Sequence, residues 1–271
     1  MPITLMLCYA RSGGTLLNRC LGSLPDVVIL SEVNPGRRPG NMNTVKEQAK
    51  AWYDITLSSD DFSEGVLELA SLCTEQNKHL VVRAWPVFDF VPSRQNQFQP
   101  GGALSAYQAL QGRTDLKTFA LVRDSIDIWI SNGCKPDFFR HYRGYTEQLV
   151  EEGIPTFQYE QFCNNPRDVM RDICSLGELP YSETFLDFAS FSRAHGDVQL
   201  GSRSRGGRSS RIDVLPRRRI ARQSIDWVNQ CEDMARANQL TGYPPRYDGR
   251  ALEAWYHGIL GRLHARLAKR G

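Results

Sequence analysis

Apolar and polar positions alternate between two periods along the chain. Ile3 to Cys8 forms an apolar run of strand length, and the turn Tyr9-Ala-Arg-Ser-Gly-Gly14 leads from it into a helical stretch, Thr15 to Leu21, that ends near Gly22. Val27 to Leu30 is a second short apolar run, followed by a Pro/Gly-rich loop over 34–43. Helical patterns cover about 44–55 and 61–75. The strand-like His79-Leu-Val-Val-Arg-Ala-Trp85 comes next, then a long loop over 92–103 that is a candidate lid. Lys117 to Val122 predicts a further strand that passes at Arg123-Asp124 into a helix through Ser131. Ile154 to Tyr159 predicts another, leading to the helix Arg167 to Leu176. The pieces 217–238 and 250–269 read as helices, and 201–211 shows no periodicity. Strands that alternate with helices predict an α/β fold on a parallel sheet, in a single domain over 1–271.

Composition narrows the class. With 271 residues and 41% apolar content, the chain can bury an ordinary core. No apolar stretch approaches the roughly 20 residues that cross a bilayer, and Met1 to Ala10 has no basic leader, so the expected location is cytoplasmic, with no membrane partner. The seven cysteines are scattered, with no CxxC pair and no His/Cys cluster at ligand spacing, which predicts free buried thiols and no metal site. The net charge of +3 is uninformative, but between Arg203 and Arg222 eight arginines face one acid, Asp213. That stretch calls for an anion or for water. It contains no aromatic residue to stack on bases, which argues against a nucleic-acid partner.

The candidate chemistry begins where the first strand enters its helix. There the successive N–H groups of Ser12, Gly13, Gly14, Thr15 and Leu16, together with the helix terminus, can converge on an anion. A nucleotide triphosphatase would carry GxxxxGK and then Ser or Thr. Here Arg11 precedes the glycines, and the lysine is absent. The second constellation is Arg123 at a strand end, with Ser131 eight residues later. About two helical turns separate them, so both can face one phosphate.

Together these segments resemble the sulfotransferases that use 3'-phosphoadenosine 5'-phosphosulfate (PAPS). In that family a Pro-Arg/Lys-Ser-Gly-Thr-Thr loop binds the 5'-phosphosulfate and an Arg-Asp-Pro…Ser block binds the 3'-phosphate. The counterparts here are Ala10-Arg-Ser-Gly-Gly-Thr15 and Arg123 to Ser131. Tyr159-Glu-Gln-Phe-Cys-Asn-Asn-Pro166, with Leu179-Pro180 beyond it, is similar to the family's Tyr-Glu-Asp-Leu…Pro segment. The stretch 202–211 is similar to its late loop, so Gly206, Gly207 and Arg208 are implied to close over the nucleotide within a loop over 201–216. Ala10, Gly14 and Ser125 depart from the family pattern.

The resemblance implies a three-layer, P-loop-like fold with a central parallel sheet flanked by helices. It also implies transfer of a sulfuryl group from PAPS, with no metal required, leaving the product PAP. Arg11 is then assigned to the bridging oxygen of the leaving phosphate. Glu32, at the end of the second apolar run, is the expected general base; the alternative role for it is capping a turn. His79 and His141 read as structural or substrate-lining, and Arg83, Trp85 and Asp89 as bordering the acceptor pocket. The acceptor is a small molecule, carbohydrate or peptide, and the C-terminal helices offer a homodimer surface. The rival readings are a P-loop kinase, which should show the missing lysine, and a non-catalytic PAP- or nucleic-acid-binding protein.

Overall fold

In the computed structural model, which describes residues 1–92, 102–195, 211–215 and 220–247, five strands form one all-parallel sheet. They are β1 (Ile3–Cys8), β2 (Val27–Val33), β3 (His79–Ala84), β4 (Leu116–Val122) and β5 (Thr156–Gln158), in the order β2-β3-β1-β4-β5. β1 is central because all six of its residues are apolar or buried Thr4, so each face can be covered. Ile3, Leu5 and Leu7 enter one core, and Met6 and Cys8 enter the other. Two separate cores on one sheet are what a three-layer architecture requires.

The Met6 face is covered by α1 (Gly14–Gly22), α8 (Tyr159–Asn164), α9 (Pro166–Gly177) and a 3₁₀ segment, Glu183–Ser190. The Leu5 face is covered by α2 (Val45–Tyr53), α3 (Phe62–Glu75), the short α4 (Val87–Phe90), α5 (Ser105–Leu110), α6 (Ser125–Ser131), α7 (Phe138–Glu151), α10 (Arg222–Gln230) and α11 (Glu232–Leu240). Several helix starts are fixed by short polar side chains. Asp61 accepts from Ser63 N and Glu64 N, Thr44 and Glu47 form a reciprocal capping box, and Asp124 accepts from Ile126 N at 2.9 Å.

The expected α/β architecture and the parallel sheet are found, with every expected strand present. Three differences have local causes. The strand expected over 154–159 shortens to Thr156–Gln158, because β5 is an edge strand paired only with β4, and Tyr159 already begins α8. The helix expected over 217–238 is two helices, broken at Cys231, which leaves the helical region at φ −79, ψ 106. The fourteen-residue α7 has no counterpart among the expected elements. Its buried residues Phe138, Phe139, Tyr142, Tyr145, Thr146 and Leu149 do follow a helical period, but the polar residues between them mask it. Most of the loop 92–103, residues 201–210 and the expected helix 250–269 lie outside the described residues. Among the described residues no helix is long and apolar enough to cross a membrane.

The strand order sets the location of the site. The chain leaves β1 toward β2 on one side and reaches β4 on the other, so the carboxyl ends of β1 and β4 form a topological switch point. The residues that follow β1 and β4 are Tyr9 to Gly14 and Arg123 to Asp124.

Candidate functional site

The turn after β1 is closed tightly. Ser12 Oγ donates to Tyr9 O at 2.7 Å, and Cys8 Sγ lies 3.1 Å from Ser12 Oγ. The Ser12 hydroxyl and its backbone N–H, which donates to Tyr9 O at 3.3 Å, are thus both committed to the turn. Burial pushes the Cys8 thiol up, which keeps it a neutral packing group despite the nearby Arg83. Arg11 (φ 71) and Gly13 (φ 95) both occupy the left-handed region, which for arginine is a strained backbone. A Cβ on Gly13 would meet the Tyr159 ring at 2.3 Å, and one on Gly14 would meet Cys8 Sγ at 2.0 Å. Both positions therefore need glycine, which explains Gly14 where the resembling motif carries threonine. α1 begins here, with Leu16 N donating to Gly13 O at 3.0 Å, while the Leu16 side chain belongs to the core.

Arg11 crosses from this turn to the end of α6, where its Nε donates to Ser131 Oγ at 3.0 Å. Arg123 meets the same turn from β4, donating to Arg11 O at 3.5 Å. Its guanidinium lies 4.6 Å from the centre of the Tyr159 ring, between two carboxylates, Asp127 and Glu160, each at 3.7 Å. Arg123 Nε is buried and makes no hydrogen bond. The structure thus brings Arg11, Ser12, Gly13, Gly14, Arg123 and Ser131 to one place, and the two guanidinium groups there make it receptive to an anion.

Glu32 lies on the same sheet edge but toward β2. The β2/β3 register slips between Leu30 and Val33, so Ser31 and Glu32 together oppose Arg83. Such a bulge re-aims side chains, and Glu32 takes the left-handed conformation, φ 55. Both residues then reach Arg83, with Nη2 donating to Glu32 Oε1 at 2.8 Å and Nη1 to Ser31 Oγ at 3.3 Å. His195 closes the cluster. Its N–H donates to Ser31 Oγ at 3.0 Å, and its ring nitrogens lie 3.6 Å from Glu32 Oε2 and 2.7 Å from Asn41 O. Arg37 donates to Glu32 O at 2.5 Å and stacks over Trp85. Burial works to raise the Glu32 carboxyl, but Arg83, His195 and Arg37 outweigh it and hold it below the usual carboxylate range. Arg83 Nε is buried without a hydrogen bond and sits beneath Gly14, so this cluster abuts the glycine turn.

Asp89 lies behind this cluster, accepting from Ser105 Oγ at 2.6 Å and Asn34 Nδ2 at 3.1 Å. Burial pushes it up to about 6 against those hydrogen bonds. The Trp85 ring lies under the Arg37 guanidinium, its centre 5.1 Å away. His79 starts β3 and therefore lies at the opposite, amino edge of the sheet. His141 lies on α7 with its ring half-buried. Gly206, Gly207 and Arg208 fall outside the described residues. Sequence reading missed His195 and Arg37 as partners of Glu32, and Tyr243 and Asp127 as part of the Arg123 environment. Only Asp127 carried a local signal, one helical turn beyond Arg123. Among the described residues no group of three or more His, Cys, Asp or Glu is arranged to hold a metal.

No protein-family model matches the chain, and no curated protein sequence does. Solved structures do. The sulfotransferase domain of the Synechococcus PCC 7002 olefin synthase matches with a TM-score of 0.59 at 15% identity, over 90% of this chain and 95% of that one. The chain shares its fold with sulfotransferase domains. A second such domain, from the curacin biosynthetic pathway, matches with a TM-score of 0.50 at 14% identity, over 90% of this chain and 98% of that one. At these identities the sulfotransferase fold is what the likeness shows, and reading the chemistry from it depends on the site residues.

Proposed function

We propose that the chain is a PAPS-dependent sulfotransferase acting on an acceptor hydroxyl or amine. The observation that carries this reading is Arg123. It is a buried guanidinium at the switch point of a sulfotransferase fold, its Nε makes no hydrogen bond, and it stands beside Arg11 and Ser131. A buried N–H without a partner is costly unless a ligand completes it. The glycine turn also fits the donor, because it joins β1 to the start of α1 at the carboxyl edge of the sheet, where the first N–H groups of a helix favour a phosphate.

When bound, PAPS supplies a sulfuryl group and leaves as PAP. Arg123 and Ser131 hold the 3'-phosphate, and the N–H groups of Gly13, Gly14 and Thr15 hold the 5' end, the Leu16 N–H being taken by Gly13 O. Arg11, between them, places positive charge where the leaving phosphate gains negative charge as the S–O bond breaks. Sulfur forms its new bond to the acceptor oxygen or nitrogen, whose proton passes to Glu32. A carboxylate held ionised by Arg83 and His195 is available for that proton at neutral pH, although its depressed affinity makes it a weak base. Gly206, Gly207 and Arg208 are assigned to closure over the nucleotide.

Calorimetric titration with PAP, with Mg-ATP as the control, tests the donor site. PAP should bind more tightly than Mg-ATP, and the reverse preference would replace this reading with a kinase. Glu32→Gln should then bind PAP normally and lose turnover. Normal turnover in that variant would remove Glu32 from the chemistry.

A further inference from the structure

Glu160, the carboxylate beside Arg123 Nε, opens α8 and is held from behind. Its Oε1 lies 3.7 Å from Arg123 Nε, while Tyr243 Oη donates a short hydrogen bond to its other oxygen, Oε2. Tyr243 follows α11, and its place is set by bonds that do not involve Glu160. Its N–H donates to Asn238 O at 2.8 Å, Gln158 Nε2 donates to Thr241 O at 2.9 Å, and Ser125 N donates to Asn238 Oδ1 at 3.0 Å. Burial, then the neighbouring Glu160, raise the Tyr243 hydroxyl far above its ordinary value, so it keeps its proton and remains a donor.

The spacing matters because 3.7 Å is beyond a hydrogen bond but within the range of strong charge attraction. Arg123 is thus neutralised from a distance on two sides, by Glu160 and Asp127, while Nε remains unbonded. A carboxylate free to move would close that gap and occupy the donors that a phosphate needs. Among the described residues, the groups that act on the Glu160 carboxylate are Arg123, Asp127, Tyr243, Cys163, Tyr142 and its own backbone N–H, and of the side chains it is Tyr243 that hydrogen-bonds it, at the oxygen other than the one nearest Arg123.

We propose that Tyr243 is a positioning residue that holds the Glu160 carboxylate back from Arg123, so that the guanidinium is charge-balanced yet open to a phosphate oxygen. The proposal rests on Arg123 as a phosphate ligand, as read above. Removal of the Tyr243 hydroxyl lets Glu160 pair directly with Arg123 and compete with the ligand.

The test is calorimetric titration with PAP at pH 8 of the wild-type chain, Tyr243→Phe, Glu160→Gln and the double variant. Tyr243→Phe should bind about tenfold more weakly, the size of one charged hydrogen bond. The double variant should recover wild-type affinity. Wild-type affinity in Tyr243→Phe, or a double variant as weak as Tyr243→Phe, would overturn the proposal. The second outcome would mean that Tyr243 acts through packing alone. Should Tyr243→Phe fail to fold, Glu160→Gln alone decides, with equal or tighter binding expected and a tenfold loss fatal. A wild-type chain that ignores PAP would refute the donor reading instead. Inorganic phosphate, followed at the Arg123 Nε–H resonance by NMR, then tests the tether, since Tyr243→Phe must blunt the phosphate-induced shift at pH 8 and an undiminished shift would overturn it.

Discussion

At the β1/β4 end of the sheet's carboxyl edge, Arg123 keeps its two carboxylates 3.7 Å away, whereas at the β2/β3 end Arg83 grips Glu32 at 2.8 Å, although each arginine leaves its Nε without a hydrogen bond. The side chains at both ends are substantially buried, and both pair arginine with carboxylate. What differs is how far the hydrogen bonds are already made. A guanidinium balanced by distant charge is stable without ligand and still has N–H groups to give, while one bonded to its partner is a structural tie. On the proposed reading, the same residue types build a receptor on one side of β1 and a brace on the other.

The largest effect expected from breaking this contrast is at the brace. Arg83→Ala leaves Glu32 in a buried position without its main counter-ion, and such losses cost about 3–5 kcal/mol. Urea denaturation should show a destabilisation of that order, and a loss below about 1 kcal/mol would mean that His195 and Arg37 hold Glu32 without Arg83. At the receptor the effect should fall on binding instead of stability. Arg123→Ala should weaken PAP by about 2 kcal/mol or more, with a smaller change in stability. A variant that unfolds more readily yet binds PAP unchanged would exchange the roles of the two ends.

The smallest expected effect is one of slope. Because the folded state holds the Glu32 carboxyl below its ordinary range, its contribution to stability is fully present above the unfolded value and is lost as pH falls through the depressed one. Glu32→Gln should flatten that part of the acid limb, as measured by urea midpoints across the carboxylate range. An unchanged limb would assign it to other carboxylates.

Much of the frame was readable along the chain. The five strands stood out because a parallel strand buried on both faces is a continuous apolar run. The loop Arg11 to Leu16 and Arg123 stood out because each lies at a strand-to-helix junction, where backbone chemistry announces itself locally, and Ser131 stood out by its spacing from Arg123. Helix α7 was obscured by polar residues within its apolar stripe, and β5 was overextended because its apolar run continues into α8. The partners of Glu32 were hidden for another reason. His195 is 163 residues away from it in sequence, in a stretch without periodicity, and nothing local distinguishes it. The slip between Leu30 and Val33 likewise depends on pairing with β3.

The sequence alone determined the parallel α/β architecture, the glycine turn and the cations on either side of it, because short-range periodicity and strand-to-helix junctions encode them. Only the tertiary structure decided that Arg11 turns to Ser131, that Arg83 and His195 enclose Glu32, and that Tyr243 stands behind Glu160. Those pairings are set by strand order, a register slip and the docking of α11. They are matters of distance in space between residues far apart in the chain, and no local pattern records them.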